Sequence, residues 1–148
     1  MFTGSYEGNI DDKGRVVIPM KLRLCLGERI WAVKGVDGCL NLFTQDAWRE
    51  YTETYINNRT LKDEKARQLR RFVFGGSHEL EIDRQGRINL PHDLTVFAGI
   101  EKSVVFIGDG DLVELWGTES YEKEVNPDRL NLKELMSDAA EAAPLYDV

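Results

Sequence analysis

Histidine occurs only twice in these 148 residues, cysteine twice and proline four times. So little histidine and cysteine leaves few groups for catalysis or metal binding. His78 and His92 read as structural residues. Cys25 and Cys39 sit in apolar surroundings, with no ligand spacing and no local nucleophile signature. They read as small buried side chains of a reducing cytoplasm rather than as a disulfide. No glycine-rich phosphate loop and no cluster at metal-ligand spacing is present. No apolar run approaches the length of a membrane span, and Met1-Phe2-Thr3 does not begin a basic, apolar leader. The expectation is a cytoplasmic protein that is not an enzyme, has no cofactor or metal and has no membrane partner.

An excess of positive charge is also missing, the net charge being −7. The average conceals a division. From Asp109 onward there are 11 acidic and 3 basic residues, whereas the preceding part has 15 acids and 16 bases. Within that part, residues 59–87 hold 8 bases against 5 acids. The acidity belongs to the C-terminal portion, and the mildly basic remainder permits nucleic-acid binding. Hydrophobic content of 42% in a chain of this length supplies one core, as one domain or two small fused ones.

What the chain does have is a repeat. Asp11-Asp12-Lys13-Gly14-Arg15-Val16-Val17-Ile18-Pro19 and Asp83-Arg84-Gln85-Gly86-Arg87-Ile88-Asn89-Leu90-Pro91 share one pattern, 72 residues apart. In each, the Asp side chain can accept N–H groups two residues on, and the Gly supplies the positive φ of a tight hairpin or bulge. Asp11, Gly14, Asp83 and Gly86 are therefore the turn-forming residues. The apolar alternation on both sides predicts half-buried strands, and Pro19 and Pro91 suit the first turn of a following helix. Turn geometry does not account for the arginine after each Gly. Arg15 and Arg87 either project from a rigid platform, where a fork of donors suits phosphates or a guanine edge, or pair with Asp11 and Asp83 and staple the loop.

The remainder follows the same period. A first strand is expected over Phe2–Tyr6, a short helix with Leu22 and Leu26 ending at Gly27, and a hairpin of 30–33 and 39–43 around Gly35-Val36-Asp37-Gly38. A helix capped by Thr44 then puts Trp48, Tyr51 and Tyr55 on its inner face. Thr60-Leu61-Lys62-Asp63 has capping-box character and opens a helix to about Val73, with Ala66, Leu69 and Val73 on one side. Lys65, Arg67, Arg70 and Arg71 form its basic face. From Leu80 the first half begins again: Leu94 answers Leu22, Gly99 answers Gly27, 104–107 answers 30–33, and Tyr121 answers Trp48 before Asn126-Pro127 ends that helix. Leu130, Leu132 and Leu135 suggest a short helix, and 138–148 reads as a frayed tail. The division is a first repeat over 1–58, a basic connecting helix over 59–76, a second repeat over 77–126 and an acidic tail over 127–148. Two such halves would pack about a pseudo-twofold axis.

The paired Asp-x-x-Gly-Arg-x-x-x-Pro motifs, the start Met-Phe-x-Gly and the Arg-x-x-x-Arg helix running into Gly75 resemble the MraZ family, within the wider AbrB/SpoVT-like superfamily of bacterial DNA binders. The likeness covers residues 1 to about 125. It implies an α+β fold, a swapped-hairpin, AbrB-like double β-barrel built from two internal repeats with short helices. It further implies a ring-shaped homo-oligomer that binds double-stranded DNA at tandem promoter repeats of the division and cell-wall gene cluster. Such a protein acts as a nucleoid-associated transcriptional regulator, a repressor by expectation. The family's arginines fall on Arg15 and Arg87, with Lys13 and Arg84 as lower-ranked DNA-binding residues in the turns. Gln85 stands where the first turn has Lys13, so the two turns differ in charge. An antitoxin that binds a toxin through the C-terminal segment is the competing expectation, and a purely structural ring protein is another.

Overall fold

The computed structural model describes residues 1–57 and 63–146. The first repeat comprises β1 (Ser5–Asn9), β2 (Arg15–Val17), α1 (Met20–Leu26), β3 (Arg29–Lys34), β4 (Leu40–Phe43) and α2 (Gln45–Tyr55). Helix α3 (Glu64–Gly75) connects it to β5 (His78–Glu81), β6 (Arg87–Asn89), α4 (His92–Ala98), β7 (Ser103–Asp109), β8 (Leu112–Gly117) and α5 (Thr118–Glu124). A single 3-10 turn at Pro127–Arg129 precedes α6 (Leu132–Tyr146).

Local chemistry sets the helix ends. Thr44 accepts the Ala47 N–H and caps α2, and Asp63 accepts the Lys65 N–H and caps α3. The capping box expected to begin at Thr60 lies outside the described residues. Pro19 and Pro91 stand at the N-cap itself, one position before the expected first turn, with extended ψ of 138° and 147°. Their carbonyls accept the first N–H groups of α1 and α4, so each proline ends a strand and starts a helix. The C-terminal segment departs from expectation. The Asn131 side chain accepts the Glu134 N–H, and the Ala-rich run beyond it, a strong helix former, continues as α6 rather than fraying from Asp138.

Strands pair across the duplication. A six-stranded antiparallel sheet runs β1-β7-β8-β4-β3-β5, and β2 pairs with β6 in a separate two-stranded ribbon. Strand β1 thus joins the second repeat's β7–β8 hairpin, while β5 joins the first repeat's β3–β4 hairpin. These two ladders are one another's image, and the β4–β8 and β2–β6 ladders are each their own. Their centres are Asn41 opposite Glu114 and Val16 opposite Ile88. The pseudo-twofold axis passes through both pairs. Among the described residues no ladder joins the outer strands β1 and β5, so the sheet is open. Strand β1 begins at Ser5, and Phe2 makes only an isolated bridge to Gly110.

The main core lies between ribbon and sheet. Val16, Ile18, Ile88 and Leu90 from the ribbon meet Leu22, Leu94, Leu40, Leu42, Val113, Leu115 and Phe106, all buried. Each such side chain contributes about 1.5–3 kcal/mol on burial. On the outer face of the sheet, Trp48 of α2 and Val73 of α3 pack over Val33 and Phe43, and α5 covers Cys39, Val105 and Trp116. Tyr51 stacks at 5.9 Å on Trp48, whereas Tyr55, expected inside, is more than half exposed. Cys25 is also exposed, contrary to expectation, while Cys39 is buried; both are free thiols. Leu22 and Leu26 face inward on α1, and Cys25 is rotated off that face.

Candidate nucleic-acid interface

Both motifs form the same turn. Gly14 N–H donates to the Asp11 carbonyl at 3.0 Å and Gly86 N–H to the Asp83 carbonyl at 2.9 Å. The glycines then take φ of 82° and 79°, closing a three-residue hairpin loop with a bulge. One oxygen of Asp11 accepts the N–H groups of Lys13 and Arg15, both at 2.9 Å, and Asp83 does the same for Gln85 and Arg87. The turns are also stitched to the opposite repeat. Leu90 N–H donates to the Gly14 carbonyl at 2.8 Å, and Ile18 N–H to the Gly86 carbonyl at 2.9 Å.

The second oxygen of each Asp holds its arginine. Arg15 Nε donates to Asp11 at 2.7 Å, and Arg87 Nε to Asp83 at 2.9 Å. The stapling geometry and the projecting geometry therefore coexist. The contact with the carboxylate runs through Nε in both turns. The side chains remain 33% and 28% exposed. The N–H groups of Arg15 and Arg87, together with the guanidinium bonds, hold the carboxyls of Asp11 and Asp83 below the ordinary value of 3.8.

Ribbon pairing brings the two arginines to one face. Arg15 lies opposite Asn89 and Val17 opposite Arg87, with Val16 and Ile88 pointing into the core. Side chains alternate along a strand, so Arg15 and Arg87 are diagonal neighbours on the outer side, about 7–8 Å apart at the backbone. They line one groove of about 630 Å³ with Arg84, Asn89, Asp83, Glu28 and Glu81. Lys13 and Arg84 are exposed at the turn tips. All four expected DNA-binding residues thus lie along one ribbon and its two turns.

The basic helix is placed differently. Arg70 donates to the Asn57 side chain at 2.7 Å and lies 5.3 Å over the Phe74 ring, tying α3 to the end of α2. Lys34 sits between the rings of Phe72 and Phe97, 5.5 Å from each, and so links α3 to α4. His78 bonds Asp93 at 3.0 Å. Burial pushes the Cys39 thiol up to about 12, which suppresses a thiolate. Among the described residues, no group of three or more His, Cys, Asp or Glu is placed to hold a metal, and no helix is long and apolar enough to cross a membrane. Arg23, which no motif in the sequence marks, extends from α1 onto the second turn. The repeat offset marks it only as the counterpart of Thr95.

The model of the family described as "MraZ protein, putative antitoxin-like" matches twice, over residues 1–72 and 73–142. Proteins named transcriptional regulator MraZ are similar over most of the chain. The one from Syntrophomonas wolfei is 41% identical over 82% of this chain and 84% of its own. That from Clostridium beijerinckii is 40% identical over 93% and 98%, and that from Caldanaerobacter subterraneus 43% identical over 83% and 85%. Two family matches, one per strand-exchanging half and each containing its own Asp-x-x-Gly-Arg turn, place this chain in the MraZ family.

Proposed function

We propose that the chain is a sequence-specific DNA-binding transcriptional regulator whose contact surface is the outer face of the β2–β6 ribbon. The observation that carries this is the diagonal placement of Arg15 and Arg87 on one face of the ribbon, each held by an Asp from its own turn. Arginine forks held this way suit phosphate oxygens and guanine edges, and Lys13 and Arg84 add charge at the flanks. A few cations per chain bind weakly at physiological salt. Several copies on repeated sites multiply the effective concentration, which is the reason to assign a ring-shaped homo-oligomer acting on tandem promoter repeats. The relatives' name supports regulation of transcription. By family likeness the target is the promoter of the division and cell-wall cluster, the sign is repression, and the location is the cytoplasmic nucleoid. Strand exchange between the halves supports reading the sheet and ribbon together as the swapped-hairpin barrel, with 1–58 and 77–126 as its repeats.

The test is gel retardation of DNA from upstream of the protein's own gene. Arg15→Ala is expected to weaken binding by roughly tenfold or more, so that the shifted band is lost at the protein concentration that saturates the wild type, with the oligomer's size unchanged. Unaltered retardation removes Arg15 from the contact surface.

The family description and α6 favour one second reading, an antitoxin. Leu132, Leu135 and Met136 of α6 are exposed, with Leu132 at 73%. An apolar stripe in an acidic C-terminal segment suits a helix that docks on a toxin. Co-purification with a small growth-inhibiting partner, lost on deletion of 127–148, would establish it.

A further inference from the structure

The two turns differ at their tips. The central pair of the first is Asp12-Lys13, which is neutral, and that of the second is Arg84-Gln85, which carries one positive charge. The fold widens this difference. The guanidinium of Arg23, on the first repeat's α1, lies against Gly86 and fills the space that a Cβ there would take. Gly86 is buried in consequence, whereas Gly14 is only partly so. The repeat offset puts Thr95 where a matching residue would reach the first turn. Thr95 does line the cleft beside Lys13 and Gly14, but its hydroxyl donates to the His92 carbonyl at 3.0 Å within its own helix.

Arg23 is poorly matched by the protein. Its Nη2 donates to the Met20 sulfur at 3.3 Å, a weak acceptor, and among the described residues it pairs with no carboxylate. Arg15 and Arg87, by contrast, each hold an Asp. A half-buried guanidinium packed on a backbone turn has little freedom left to lose and most of its donors unspent. An incoming anion would complete it at low entropic cost.

We propose that Arg23 is a further DNA-contacting residue, lent by the first repeat's helix to the second repeat's turn, and that it makes the second turn the stronger of the two phosphate-binding tips. Arg23, Arg84 and Arg87 then engage one stretch of backbone, while Lys13 and Arg15 engage another more weakly. A pseudo-symmetric subunit thereby reads its DNA with a direction. The assignment rests on the DNA-binding reading above.

Fluorescence anisotropy on a labelled duplex from upstream of the protein's own gene tests it. The full chain is titrated across a salt series as wild type, Arg23→Ala, Arg23→Lys and Thr95→Arg, with sizing profile and thermal melting checked for each. Arg23→Ala is expected to weaken binding several-fold and to lower the salt slope by about one per engaged chain. Arg23→Lys keeps the charge and should keep the slope. Thr95→Arg supplies the missing counterpart at the first turn and should raise the slope by a similar amount. Wild-type affinity and slope in Arg23→Ala, beside a wild type that binds, overturn the Arg23 assignment alone. Equal losses in the Lys and Ala variants overturn it too, since charge would not be the cause. A wild type that leaves the duplex free overturns the DNA reading itself.

Discussion

Val16 faces Ile88 across the β2–β6 ribbon, each 1% exposed, with the pseudo-twofold axis between them. This pair clamps the two turns together and points their arginines away from the core. Ile88→Ala is expected to cost about 2–5 kcal/mol, because it opens a cavity where both halves meet. Val17→Ala, one position from the axis and 52% exposed, should stay within about 0.5 kcal/mol of wild type. Urea unfolding of the two variants separates these outcomes.

Stability and DNA binding should part company at the arginines. The Arg15–Asp11 and Arg87–Asp83 pairs are partly exposed, and such pairs are worth about 0–1 kcal/mol. Arg15→Ala and Arg87→Ala should therefore melt within a few degrees of wild type. Each should weaken DNA binding by roughly tenfold or more, as loss of one bidentate contact does. A large drop in melting temperature would mean that the staple, not the contact, is the main role.

Alanine at the two turn glycines should have unequal effects. Gly14→Ala and Gly86→Ala both force a side chain into positive φ, at about 1–2 kcal/mol. Only at Gly86 does the new methyl also displace the Arg23 guanidinium. The two variants should lose similar stability, and Gly86→Ala should lose more DNA affinity. Chemical unfolding and anisotropy on the same samples make the comparison.

Acid should loosen the turns together. The Asp11 and Asp83 carboxyls lie below their ordinary 3.8 in the folded chain, so their contribution is complete above that value and is lost as pH falls through the folded values. The Asp11→Asn, Asp83→Asn double variant should therefore show a flatter fall in urea midpoint below about pH 4 than wild type.

Glu114 should behave in the opposite sense. It lies on the axis across the core from Val16, and burial raises its carboxyl above the ordinary 4.5, partly offset by the Trp116 N–H at 3.1 Å. Its charged form is the disfavoured one in the fold. Stability from this group is greatest below 4.5 and declines as pH rises through the folded value. Glu114→Gln keeps an acceptor for Trp116 and should melt higher than wild type at pH 7, with the gap closing in acid.

Much of the site is local and could be read from the chain. Asp, Gly and Arg at fixed spacing specify a turn whose backbone needs those residues, and the structure contains it twice. Thr44, Leu22, Leu94 and the apolar strands were legible for the same reason: capping and periodicity act over a few residues. Cys25 and Tyr55 fall outside the core that their sequence surroundings suggest, because apolar neighbours in sequence do not say which side of a short helix meets the core. Residues 138–146 are helical although their composition is acidic, because the helix propensity of alanine prevails there.

Residue spacing and composition make this protein a duplication with two arginine-bearing turns and enough apolar surface for one shared core. That both arginines share a face, and that Arg23 crosses from one repeat to the other's turn, follows from the assembled fold. Those facts depend on strands exchanging partners between halves 72 residues apart. Such pairing is set by burial of the common core, and no local periodicity encodes it.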